Sequence, residues 1–178
     1  DEKNLPGENI FQKMRNALKV GFKTFPKTSQ ATPKSYLDAF QKHLQKFDKV
    51  LCITVSSKIS GCYNSAIQAR EMLNEEEREK VFVLDSLTLP PLLVLRAVEL
   101  IQEQREIEEV ISELKMLIPK SHLYLMIEDP RWIEALDRIT KSQANWFRRI
   151  KKLRLQPIMK LKDGLIAKGG FVFAKDMA

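Results

Sequence analysis

The sequence predicts an α/β protein: a parallel sheet flanked by helices on both faces, followed by the start of a second domain with an antiparallel hairpin. Three observations predict it. Short apolar runs rich in β-branched residues alternate with helical patterns as far as residue 130, and parallel strands need crossover connections that bury both faces of their sheet. The second of these runs ends in a polar pair, Asp85-Ser86, where open α/β sheets usually deliver functional loops. From residue 155 the pattern changes to two runs joined by Asp163-Gly164, the strongest short-range hairpin signal.

Taken in order, Ile10, Phe11, Met14, Ala17 and Leu18 fall at three- and four-residue steps and predict a helix over 9–20. After a loop, Pro33 opens a second helix with Tyr36, Leu37, Phe40, Leu44 and Phe47 on one stripe and Thr32 as its cap. Residues 50–55 are short, apolar and without alternation, as in a strand buried on both faces. The polar turn 56–61 leads into a helix over 62–73 that turns Ala66, Ala69 and Leu73 inward. Residues 81–84 form a second buried strand, two helices fill 92–104 and 107–117, and 123–127 is a third apolar strand, assigned to the same parallel sheet. A mostly helical stretch over 131–152 precedes the hairpin. Two strands make no stable domain alone, so more chain is expected after them.

Composition bounds the function. With 178 residues, 44% hydrophobic and 30% charged, the chain can bury a real core. No apolar run reaches the ~18 residues of a membrane span and the first residues lack a signal-peptide order, so the expectation is a soluble cytoplasmic protein. Cys52 and Cys62 have no His or Cys at zinc-ligand spacing, so neither a structural disulfide nor a metal site is expected. No phosphate loop and no dinucleotide-binding glycine pattern occurs. Lys and Arg number 30 against 23 acids, giving +7, and seven of the fifteen residues over 148–162 are basic. A solvated helix accounts for that block as well as a polyanion does, so nucleic acid is an unfavoured partner.

Read in order, Thr28-Ser29-Gln30, then Ser56-Ser57-Lys58-Ile59-Ser60-Gly61-Cys62-Tyr63-Asn64-Ser65-Ala66, then Asp85-Ser86, then Arg138-Ile139-Thr140, then Gln156-Pro157-Ile158-Met159-Lys160 with Asp163-Gly164 resemble the DegV family. The resemblance implies a bacterial fatty-acid-binding protein of two α/β domains, some members of which present the bound acid to an ATP-dependent fatty acid kinase subunit. It implies no catalytic residue and no cofactor beyond the ligand, a fatty acid such as palmitate or oleate. It also implies a chain incomplete at both ends: residues 1–152 as the first domain without its first strand, and 153–178 as the beginning of the second. Two departures stand out. Asp137 precedes Arg138 where many members have glycine, and Phe173 stands where they carry an arginine of a basic motif, which bears on kinase-dependent phosphorylation more than on lipid binding.

By the same resemblance Thr28, Ser29 and Ser60 hydrogen-bond the carboxylate with Arg138 nearby, and Ser57, Gly61, Asp85 and Ser86 complete the candidate ligand-binding set. The chemistry fits a helix mouth at Ser60-Gly61, where free N–H groups and the dipole favour an anion. Without the resemblance, Ser60 reads as a plain helix cap, Thr28 and Ser29 as loop polarity, and Arg138 as a salt-bridged structural residue. Ile59, Leu87, Leu92, Leu95, Met126 and Ile127 are candidates for an apolar tunnel, and taken singly each reads more readily as core. The alternatives are a serine-dependent hydrolase, with His43 or His122 as base to Ser60 and Asp85 as the orienting acid, and a basic nucleic-acid-binding domain. Against the hydrolase, the turn at Ser60 is not Gly-x-Ser-x-Gly.

Overall fold

The computed structural model describes residues 7–9, 12, 13, 16, 28–126, 133, 134 and 136–173. The helix expected over 9–20 therefore lies largely outside the described residues. Within them the order is α1 (Pro33–Leu44), β1 (Val50–Thr54), α2 (Cys62–Glu71), α3 (Glu75–Glu79), β2 (Val81–Asp85), α4 (Pro91–Gln102), α5 (Ile107–Leu117), a 3₁₀ turn (Ile118–Lys120), β3 (Tyr124–Met126), α6 (Lys141–Lys152), β4 (Leu155–Lys162) and β5 (Leu165–Phe173).

β1 and β2 pair in parallel, Val50 opposite Val81 through Thr54 opposite Asp85. Successive strand side chains point to opposite faces, and each face has its own helical layer. Val50, Cys52, Val81 and Val83 pack against Leu37 and Phe40 of α1 and Ala66 and Ala69 of α2. Leu51, Ile53, Phe82 and Leu84 pack against Leu93, Ala97 and Leu100 of α4 and Val110 and Leu114 of α5. This is the predicted parallel sheet with helices on both sides. The Thr32 hydroxyl caps α1 by accepting from the Ser35 N–H at 3.2 Å, and Pro33 at the first helical position gives up an N–H that would have no intrahelical partner.

The third strand departs from expectation. β3 does not join the parallel sheet; it pairs antiparallel with β4, Tyr124 opposite Lys160 and Met126 opposite Ile158. Its exposure explains why: Tyr124 and Met126 face solvent while Leu125 packs inward, the one-sided pattern that antiparallel sheets tolerate and doubly covered parallel ones do not. The hairpin forms as expected, β4 running antiparallel to β5 from Lys162 opposite Leu165 to Leu155 opposite Phe173. Asp163 (φ 52°) and Gly164 (φ 82°) are both left-handed, as the tight twist-matched hairpin turn requires.

α6 covers the inner face of this second sheet. Ala144 and Phe147 are fully buried against Met159, Leu161 and Ile166. Its start is fixed by a capping box: the Thr140 hydroxyl accepts from the Gln143 N–H at 3.2 Å, and the Gln143 side chain accepts from the Thr140 N–H at 2.7 Å. The Gln143 amide also donates to the Ile166 carbonyl at 2.7 Å, tying helix to hairpin. One buried hydroxyl joins the two sheets: Ser56, after β1, donates to the Gly164 carbonyl at 2.7 Å. Among the described residues no helix is long and apolar enough to cross a membrane.

Candidate functional site

A cavity of about 720 Å³ opens where the two sheets meet, and Thr28, Ser60, Gly61 and Arg138 line it together. These come from three places in the chain. Ser60 ends the turn after β1, held by its N–H donating to the Ser56 carbonyl at 3.1 Å. Gly61 is the N-cap of α2 and brings no capping side chain, so the helix start keeps the unpaired N–H groups that every helix has in its first turn. The Ser60 hydroxyl accepts from one of them, the Cys62 N–H, at 3.3 Å. Arg138 Nη2 donates to the Thr28 hydroxyl at 3.3 Å across 110 positions of sequence.

Gln30 fixes the 28–30 turn against this helix start. Its side-chain amide donates to the buried Ser65 hydroxyl at 3.1 Å and lies so close over Gly61 that a Cβ there would overlap it. The absence of a side chain at position 61 is thus a packing requirement. The start of α6 also faces the cavity through Ile139, Thr140 and Lys141, so the positive ends of two helices, α2 and α6, meet at one mouth. Lys58 adds a third cation beside Arg138 and Lys141, and Asp137 is the one carboxylate among the described residues of the lining. Ile59, Ile139, Leu165 and Ile166 supply the apolar wall, and behind it lie Phe147, Met159 and Leu161.

The other candidates are placed elsewhere. Ser29 is exposed and does not line the cavity. The Asp85 carboxylate accepts from the Ser57 N–H at 3.2 Å and the Leu87 N–H at 3.0 Å, clamping the loops after β1 and β2 to each other. Ser86 is fully buried; its hydroxyl donates to the Thr88 carbonyl at 2.9 Å and accepts from the Thr88 N–H at 3.2 Å. Ser57, Asp85 and Ser86 lie outside the lining that holds Ser60. Of the tunnel candidates only Ile59 lines it. Leu92, Leu95 and Met126 are exposed, at 64%, 63% and 56%, Leu87 lines a neighbouring cleft, and Ile127 lies outside the described residues. Gln30, Lys58, Lys141, Ile139, Leu165 and Ile166 line the cavity too, beyond the candidate set; the sequence signal for the last three is their place beside Arg138 and beside the Asp163-Gly164 turn.

Neither histidine serves Ser60 as a base. His43 is exposed on α1 and stacks on Phe47 at 6.3 Å, His122 is exposed before β3, and neither lines the cavity. Cys62, at the first position of α2, has its thiol lowered below the ordinary range, chiefly by the hydrogen bond with Ser60 and further by Tyr36, the Ala31 backbone and the charge of Arg138, against the opposing effect of burial. Burial pushes the Cys52 thiol up to about 11. Among the described residues no group of three or more His, Cys, Asp or Glu is placed to hold a metal ion.

Fold and site together define an α/β protein with a cationic, hydroxyl-lined mouth leading to an apolar wall. The chain belongs to the DegV family, whose sequence model, described as "Uncharacterised protein, DegV family", matches residues 1–175. A DegV domain-containing protein of Clostridium acetobutylicum is 38% identical over 146 residues, which cover 80% of this chain and 50% of that one. Among solved structures, the chain is similar to a fatty-acid-binding DegV family protein from Thermus thermophilus, at TM-score 0.78 and 27% identity, covering 92% of this chain and 57% of that one. It is also similar to a stearic-acid-binding protein from Eubacterium ventriosum, at TM-score 0.74 and 25% identity, covering 92% and 56%. The chain thus spans about half the length of the relatives it matches.

Proposed function

We propose that the cavity binds a long-chain fatty acid, with its carboxylate at the Thr28, Ser60, Gly61 and Arg138 end and its acyl chain along Ile59, Ile139, Leu165 and Ile166. The observation that carries this reading is the composition of one lining, which joins hydroxyls, helix starts and cations to the aliphatic side chains of Ile59, Ile139, Leu165 and Ile166. Burying a carboxylate without partners costs several kcal/mol, and donors already aimed at it offset most of that penalty. Each ~100 Å² of acyl surface taken out of water contributes roughly 2.5 kcal/mol. The cavity volume falls inside the ~300–1,000 Å³ range of small-molecule sites. Kinship with fatty-acid-binding DegV proteins supports the same ligand class.

Presentation of the bound acid to an ATP-dependent kinase subunit is the second half of the proposal. What supports it is the position of the polar end, next to the exposed Lys58, Arg138 and Lys141 at the surface, which would leave the head group reachable from outside. The hydrolase reading has no comparable support, because among the described residues neither histidine lines the cavity with Ser60. Denaturing the purified protein and extracting it should release fatty acid, identified by mass spectrometry, and Ser60→Ala should lower the yield. A protein that releases none, and that added palmitate or oleate does not stabilise against heat, sinks the reading.

A further inference from the structure

We propose that Lys58 and Lys141 act as a pair that captures the ionised head group at the cavity mouth and makes entry selective for an anion, an inference that rests on the fatty-acid reading above. Lys58 stands on the turn before α2 and Lys141 is the first residue of α6, so the two approach the mouth from the two different sheets' layers. Both are exposed, and among the described residues neither is paired with a carboxylate. Arg138, the third cation of the lining, already spends an N–H on the Thr28 hydroxyl. Lys141 also sits where its own helix disfavours it, since the dipole's positive end repels a cation in the first turn. The capping box already fixes the start of α6, and a lysine in the first turn adds nothing to it.

Solvent-exposed charges add little to the affinity of a bound complex, because water and salt screen them. Their field nevertheless speeds encounter with a ligand of opposite sign, and a Debye length of about 10 Å at 0.1 M salt lets both lysines act on a carboxylate at the mouth. The pair therefore governs the association rate and its salt dependence, while the hydroxyls and the apolar wall govern residence.

The test is stopped-flow fluorescence on the full chain with cis-parinaric acid and its uncharged methyl ester. In the double variant Lys58→Gln/Lys141→Gln the association rate of the acid should fall about five- to tenfold at low salt, and converge with that of the unmodified protein at high salt. Dissociation should change less than twofold, and the ester should bind at an unchanged rate. Lys58→Arg/Lys141→Arg should restore fast capture, which a merely structural role would not predict. An association rate for the acid that is unaltered at low salt, or an ester slowed as much as the acid, overturns the proposal while leaving fatty-acid binding intact. Failure of the unmodified protein to bind the acid at all overturns the fatty-acid reading and this one with it.

Discussion

Gly61→Ala tests the joint between the 28–30 turn and the helix start that carries Ser60. The backbone at Gly61 has φ −79°, so alanine meets no conformational penalty there. Its cost is steric: the new Cβ would overlap the side-chain amide of Gln30. That amide is the far end of a flexible, exposed side chain, so it gives way before the backbone does. In giving way it abandons the Ser65 hydroxyl, which is 2% exposed and held at 3.1 Å. A buried polar group that loses a partner costs about 1–3 kcal/mol. The released Gln30 amide is rehydrated and the Ser65 hydroxyl can turn toward the carbonyl one helical turn back, which places the expected cost near the middle of the range, at roughly 1.5 kcal/mol. Urea denaturation measures it, and the amount of co-purifying fatty acid reports whether the 28–30 turn has left the cavity.

A double-mutant cycle separates this mechanism from general crowding. Gln30→Ala alone removes the same hydrogen bond and should cost the same. With Gln30 already shortened, the added methyl at position 61 no longer meets the amide that blocked it, so the double variant should be no less stable than either single one. The coupling energy should then equal one single loss, about 1.5 kcal/mol. Additive losses, or a Gly61→Ala protein as stable as the unmodified one, would refute the account of Gly61 as the seat of Gln30.

Ser56→Ala should destabilise the protein by about 2–3 kcal/mol, because the fully buried hydroxyl donates to the Gly164 carbonyl at 2.7 Å and accepts from the Lys58 N–H at 3.3 Å; faster hydrogen exchange at the 163–165 turn should accompany the loss, and a change under about 0.5 kcal/mol would mean that the bridge between sheets is idle. Iodoacetamide at mildly alkaline pH should label Cys62 well before Cys52, since one thiol is lowered and the other is raised to about 11, with peptide mass mapping as the readout and the reverse order as the refutation. The same thiols fix an alkaline stability profile. Cys52 is raised above its ordinary 9.0, so its contribution is complete below about pH 9 and is lost as pH climbs toward 11. Cys62, being lowered, adds stability that is fully present above pH 9 and is lost as pH falls through its folded value. Cys52→Ala should therefore flatten the alkaline decline measured by thermal melts from pH 8 to 11.

Local chemistry was readable from residue order where the determinant lies within a few positions. Thr32-Pro33 announces the start of α1, and Asp163-Gly164 announces the hairpin with its turn type, because each rests on the backbone preferences of two adjacent residues. The partner of β3 was not readable in this way. The apolar run over 123–127 looks like a buried parallel strand, and only the alternation of inward Leu125 with outward Tyr124 and Met126 reveals a one-sided strand. α4 failed for a different reason. It is so uniformly apolar that periodicity did not choose a face; the sheet takes Leu93, Ala97 and Leu100 and leaves Leu92 and Leu95 outside. At the site, Asp85 and Ser86 were attractive because polar groups at strand ends are commonly ligand groups, yet the structure spends them on backbone N–H and carbonyl groups whose need is set by loop geometry. The meeting of Thr28 with Arg138 across 110 positions had no local signal, and only the order of the fragments resembling the family suggested it.

That long-range meeting has an energetic consequence. The polar end of the cavity draws Thr28, Ser60 and Gly61 from the layer around β1 and β2, while Ile139, Leu165 and Ile166 belong to the layer around β4 and β5. Among the described residues the layers are joined by the packing of Ile59 against the cluster around Ile139 and Ile166 and by polar links that include Ser56 to Gly164 and Arg138 to Thr28, and hydrogen bonds of this kind contribute only about 1 kcal/mol each. An amphiphile spanning the cavity would touch both layers at once, adding apolar burial on one side and charge-assisted hydrogen bonds on the other. Any ligand that binds the assembled form alone stabilises it by mass action, so occupancy and docking of the two layers are one equilibrium. With a polar loop from each sheet at a shared mouth, the contact that held such a head group would also close the apolar wall.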